Sequence, residues 1–164
     1  MAYADANSSG RAALENWLSS DLAATPKQCV GFYTHHPRYS SMRHGNSGFI
    51  DPIWDLLADD DRVRFVLNAH DHGYERFAPM DRHGRFDLSG LRSFTVGTGG
   101  VSHYDLSTLK ANSEVLVLGS GGYANTDAYG VLVIDLLDDG FVWEMKTVGL
   151  GTVDEGYDSW PCTP

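Results

Sequence analysis

The sequence predicts an α/β layer structure with an antiparallel edge to its mixed sheet. Three observations carry this. Segments with helical spacing alternate with short β-branched and aromatic runs in the first part of the chain. The later part holds strand-like runs with no helix between them. Two of those runs are joined by Asp138-Asp-Gly, a strong hairpin signal.

In order, segment 9–24 reads as an amphipathic helix, because Leu14, Trp17, Leu18 and Leu22 recur at helical spacing. Ser8 or Ser9 can cap its start, and Pro26 marks its end. Cys29-Val-Gly-Phe-Tyr reads as a short buried strand, followed by a polar loop over 35–48. A second helix is expected over 52–58, with Ile53, Trp54 and Leu57 on one face and Asp51 as its cap. Val63-Arg-Phe-Val-Leu and Ser93-Phe-Thr-Val are the next strands, and 101–128 reads as loop-rich. The hairpin pairs the runs beginning at Gly130 and Phe141.

The totals bound the function. A chain of 164 residues suits one domain, and 42% apolar with 21% charged residues is a globular composition. No stretch approaches the roughly 20 apolar residues of a membrane span. The net charge of -10 leaves no basic stripe for nucleic acid and repels phosphate esters at long range. Phosphate binding therefore needs a local site, and bound cations are the obvious means. The two cysteines, Cys29 and Cys162, allow either one long-range disulfide or two buried thiols.

Three histidine features follow predicted strands: His35-His36-Pro37, His44-Gly45 and His70-Asp-His72. In α/β sheets, sites are built in loops beyond the carboxyl ends of strands. Histidines at i and i+2 in extended backbone project to one side, and neutral imidazole suits zinc, iron and similar metals. His70 and His72 could thus reach one metal, or each of two adjacent metals. Gly97-Thr-Gly-Gly lacks the lysine and spacing of a phosphate loop and reads as a tight turn near the site. Asp59-Asp-Asp reads as a solvated helix end.

Asn68-Ala-His-Asp-His-Gly-Tyr-Glu-Arg resembles the Gly-His-x-His-x-Tyr-Glu-Arg signature of calcineurin-like and purple acid phosphatase-like metallophosphoesterases. Thr34-His-His-Pro resembles the family's earlier His-x-Pro motif, and Arg43-His-Gly-Asn its His-Gly. The resemblance runs over about 6–148 and implies the C-terminal half of a four-layer α/β/β/α sandwich. It implies that His35 and His70 are ligands of the second metal and that His72 is a ligand of the first. It makes His44 the substrate-pocket residue that contacts phosphate and protonates the leaving oxygen. His36 matches no ligand, and Tyr74, Glu75 and Arg76 fix the loop, a direct phosphate contact by Arg76 being the alternative. Ala69 stands where the family has glycine, which tolerates backbone angles that alanine resists, so the loop bearing His70 is expected to be slightly displaced. Similar members are secreted or periplasmic.

The family's bridging aspartate and further Asp and Asn ligands lie in Asp-x-His, Gly-Asp-x-x-Asp or Tyr, and Gly-Asn-His motifs, none of which occurs here. Residues 1–164 are therefore expected to form a single partial domain: the histidine side of a two-metal site (Fe, Zn or Mn) that hydrolyses phosphate esters. Alone it should hold at most one metal, weakly, and need a missing N-terminal half. The competing readings are an inactive remnant, a subunit dependent on a partner chain, and a mononuclear zinc module using His35, His70 and His72.

Overall fold

The computed structural model describes residues 9–104 and 122–159. Residues 1–8, 105–121 and 160–164 lie outside the described residues, and with them the Ser8 cap, Cys162 and most of the stretch expected to be loop-rich.

The first element is helix α1 (Ser9–Ala24), followed by strand β1 (Val30–Tyr33). A 3-10 turn (Gly48–Ile50) leads straight into α2 (Asp51–Ala58). Strands β2 (Val63–Asn68), β3 (Tyr74–Arg76), β4 (Arg92–Val96) and β5 (Tyr123–Asn125) follow. The chain then forms β6 (Gly130–Leu137), β7 (Gly140–Thr147) and β8 (Gly151–Ser159). Asp51 is not the cap of α2 but a residue of its first turn, with Ile50 in the cap position and no side-chain cap bond. The preceding 3-10 turn continues directly into the helix, so no extended residue is left to serve as a side-chain cap. Asp51 pairs instead with Arg38.

Five strands form a mixed sheet in the order β1-β2-β4-β3-β5. β1, β2 and β4 are mutually parallel, whereas β3 runs antiparallel to both β4 and β5. The antiparallel edge of this sheet is thus made by β3 and β5. The Asp138-Asp-Gly hairpin is present, but it belongs to a second, three-stranded antiparallel sheet, β6-β7-β8. Its turn needs a glycine at Gly140: φ there is 151°, and an added Cβ would meet the Asp158 carbonyl oxygen at 2.0 Å.

Two apolar layers cover the faces of the mixed sheet. Leu18 and Leu22 of α1 and Ile53, Trp54 and Leu57 of α2 pack on Val63, Val66, Phe77 and Leu91. The opposite face sends Phe65 and Phe94 against Phe141, Trp143 and Met145 of the second sheet. The described layers are therefore helices, mixed sheet and antiparallel sheet. β1 is not buried as its composition suggests; it is the sheet edge, and Tyr33 is 82% exposed. Trp17, expected on the buried helix face, is exposed as well. Cys29, just before β1, is disulfide-bonded.

The parallel ladder matters most for function. It brings the carboxyl ends of β1, β2 and β4 to one edge, so the loops bearing His35, His70 and Gly97 emerge side by side.

Candidate metal centre

The turn after β2 is built under strain. His70 has φ 65°, the one positive value among the described non-glycine residues. Asp71 N–H donates to the Ala69 carbonyl at 2.8 Å, closing a three-residue turn centred on His70. Ala69, which stands in the family's glycine position, has no positive φ; the unusual angle is on the histidine after it. Such a conformation costs about 1–3 kcal/mol and persists only where the surroundings hold it. Here they do: Ala69 N–H donates to the His35 carbonyl at 3.0 Å, and Gly97 N–H donates to the Gly73 carbonyl at 2.9 Å. Gly97 lies so close beneath the turn that a Cβ would sit 1.9 Å from the Asp71 carbonyl oxygen. Gly97-Thr-Gly-Gly is therefore a backbone support for the histidine turn.

The turn places imidazoles together. His35 Nε2 and His70 Nδ1 are 3.1 Å apart. His36 joins them, the ligand nitrogens of all three lying within 4.8 Å of one another. Burial first, then the neighbouring His35 and His44, hold the His36 imidazole below its ordinary value. His70 is lowered in the same way, by burial and then by His36, His44 and His35. Both rings are thus neutral at neutral pH, with lone pairs available to a metal. His35 Nε2 and His70 Nδ1, 3.1 Å apart, are close enough for one metal to reach both at the bond of about 2.0–2.1 Å typical of zinc. The donor set fits one borderline metal ion. Among the described residues no carboxylate joins the cluster.

His44 packs on His70 with ring centroids 4.3 Å apart. Its backbone N–H donates to Asp71 Oδ1 at 3.0 Å, so the middle residue of His-Asp-His pins the loop that carries His44. His72 stands slightly apart. Its Nδ1 lies 3.1 Å from the Ser102 carbonyl oxygen. A carbonyl only accepts, so Nδ1 carries the proton and Nε2 keeps the lone pair, an arrangement typical of metal-binding histidines. His35, His44 and His70 thus share one cleft with His36, and His72 is reached through Tyr104, which touches both His72 and His44. Sequence reasoning missed His36 as a possible donor and missed Tyr104 altogether. His36 is adjacent to His35 and could have been weighed; Tyr104 left no signal.

The Tyr-Glu-Arg triplet forms β3 and alternates faces. Tyr74 O–H donates to Asp154 Oδ2 at 2.6 Å, and Arg76 grips both Asp154 oxygens at 2.7 Å, tying the mixed sheet to the second sheet. Glu75 points the other way, accepting from Ser40 Oγ at 3.0 Å and from Ser41 N–H at 2.9 Å. Arg76 is thus held by Asp154, and Glu75 fastens the 38–47 loop. Asp59 pairs with Arg82 and Asp60 with Arg62, while Asp59 and Asp61 stay exposed, as a solvated helix end requires.

No protein-family model matches this chain, and no curated protein matches it. Solved structures do. GAP50, described as the anchor in the inner membrane complex of Plasmodium, superposes with a TM-score of 0.70 at 19% identity, over 89% of this chain and 42% of that one. The purple acid phosphatase PPD1 from yellow lupin (Lupinus luteus) seeds gives 0.66 at 17% identity, over 89% and 28%. These likenesses establish the fold: a partial calcineurin-like α/β architecture of the purple acid phosphatase kind. The chain spans less than half the length of either. No helix among the described residues is long and apolar enough to cross a membrane.

Proposed function

We propose that this chain carries the histidine side of a metal-dependent phosphoesterase centre. The observation that supports it most is the three-imidazole cluster of His35, His36 and His70, set at the carboxyl ends of parallel strands on a phosphatase-like fold. His35 and His70 are ligands of one metal, with His36 as a further donor, and His72 offers Nε2 to a second. When bound, such metals supply Lewis-acid polarisation of phosphate oxygens and activation of a water. His44 protonates the departing oxygen, and Asp71 and Glu75 hold the loops that present it. The carboxylates that complete a two-metal centre come from a preceding half of the fold, on this or a second polypeptide. The disulfide at Cys29 suits a secreted or periplasmic setting. The substrate class is phosphate esters, which reach an acidic protein through its bound cations.

A second reading has one observation in its favour. His36 completes a three-nitrogen set without any carboxylate, which is enough for a mononuclear zinc module. GAP50 shares the fold and is described as an anchor, not as an enzyme. Metal stoichiometry together with turnover of an aryl phosphate separates the readings. The phosphoesterase reading expects one weakly held metal and negligible turnover for the chain alone, with activity on joining an Asp- and Asn-bearing half. The zinc module expects one tightly held zinc, and no activity in either form.

A further inference from the structure

We propose that Tyr104 is a positioning residue of the histidine cleft: its hydroxyl engages His44 Nε2 and its ring backs His72, so that Nδ1 is the His44 nitrogen offered to a substrate. This rests on the phosphoesterase reading for its use in catalysis, but not for its geometry.

Three loops meet at this side chain. The loop after β4 brings Tyr104 over the histidine turn, where its N–H donates to the His72 carbonyl at 2.7 Å. His72 returns a bond from Nδ1 to the Ser102 carbonyl at 3.1 Å. The two loops are thus laced in both directions, and the Tyr104 ring stacks on His72 at 4.3 Å and 18°. From the 38–47 loop comes His44, whose Nε2 is 3.3 Å from the Tyr104 hydroxyl. The Arg43 guanidinium lies 5.5 Å from the same ring centroid, within cation–π range. A tyrosine kept only for packing has no need to set its hydroxyl against a ring nitrogen at the cleft. This one is half-buried, with its polar end on the imidazole and its ring against a second one.

The consequence for proton transfer is definite. In the cationic form of His44 both nitrogens carry protons. Nε2–H is then spent on the Tyr104 oxygen, and Nδ1–H is the proton available. As the P–O bond to the leaving group breaks, the departing oxygen keeps the bonding electron pair and takes the Nδ1 proton. The ring is left neutral as the Nε2–H tautomer, still held by Tyr104. Without that contact the ring can turn and present either nitrogen, and the orientation needed for transfer is lost.

The test is imidazole nitrogen NMR on the chain as it exists, with parent and variants recorded at one and the same mildly alkaline pH. Tyr104→Phe removes the hydroxyl but keeps the stack. We expect the His44 Nε2 resonance to move while both His72 nitrogens stay in place. Tyr104→Ala should disturb His44 and His72 together. Tyr104→Phe keeps the ring volume, so the test does not depend on the harsher variant folding. An unchanged His44 spectrum in Tyr104→Phe overturns the proposal. If His44 responds as expected but a complete, joined enzyme shows no phosphatase activity, the phosphoesterase reading falls and the positioning contact stands.

Discussion

Residues 70–72 and 74–76 are neighbours in one motif, yet they are built in opposite ways. The first triplet is a strained turn, with a positive φ at His70 and imidazoles opening on a cleft. The second is a strand in which Tyr74, Glu75 and Arg76 are all hydrogen-bonded to side chains or backbone of other elements. Tyr74 and Glu75 are fully buried. The difference teaches that the motif divides into chemistry and scaffold. His70 and His72 present nitrogens, Asp71 pins the loop that carries His44, and residues 74–76 fasten the two sheets and the 38–47 loop around them. Strain at the first is sustained by the backbone bonds from Ala69 to His35 and from Gly97 to Gly73, not by the second triplet.

Substitutions can break that division. The largest effect is expected at the clamp between the sheets. Asp154→Ala removes the carboxylate that grips the largely buried Arg76 guanidinium and accepts from the buried Tyr74 hydroxyl, a loss of about 3 kcal/mol by the measure of broken buried pairs. Urea denaturation measures it. Zinc affinity of the fraction that remains folded should be unchanged, because the clamp touches no imidazole. A parallel loss of affinity would erase the distinction between scaffold and site.

Next in size is the support beneath the turn. Gly97→Ala drives a Cβ into the Asp71 backbone, which has no side-chain freedom to retreat, so about 3 kcal/mol is expected. Gly99 lies two residues on, and an added Cβ there meets nothing within 4 Å. Gly99→Ala should therefore be nearly neutral in the same denaturation series. Equal costs at the two positions would remove Gly97 from its supporting role.

A smaller, pH-dependent effect belongs to Glu75. Burial, opposed by the bonds from Ser40 and Ser41, pushes its carboxyl up from its ordinary value of 4.5 to about 7. The folded protein therefore holds this proton where the unfolded chain has released it. Its contribution is fully present below about pH 4.5 and is lost as pH rises to about 7. The slope is about 1.4 kcal/mol per pH unit at its steepest. The difference in unfolding free energy between wild type and Glu75→Gln, followed from pH 4 to 8 in urea titrations, isolates this contribution from the histidines. A difference that stays flat, or one that grows in the opposite direction, counts against it.

Much of this arrangement was legible in the sequence. The bounds of α1, the strands before His35 and His70 and the 130–147 hairpin all follow from local period and turn chemistry. So does the grouping of His35 with His70, because parallel strands carry their following loops to one edge. What stayed illegible is tertiary. β8 is rich in Gly and Asp, and it forms only because β7 offers it an edge. The hairpin's own sheet is fixed by Phe141 and Trp143 meeting Phe65 and Phe94, which no local pattern reveals. Asp51 lost its capping role to a 3-10 turn that runs into the helix. Tyr104 reaches the cleft from another loop, and nothing near it in sequence marks its target.

The central claim is that the strained turn exists to hold a metal between His70 and its neighbours. The most direct measurement is calorimetric zinc titration of the chain beside His70→Ala and the exposed control His83→Ala. One zinc equivalent is predicted for the parent. The affinity should fall by more than about tenfold in His70→Ala and stay unchanged in His83→Ala. Undiminished zinc binding by His70→Ala, or an equal loss in His83→Ala, would contradict the account.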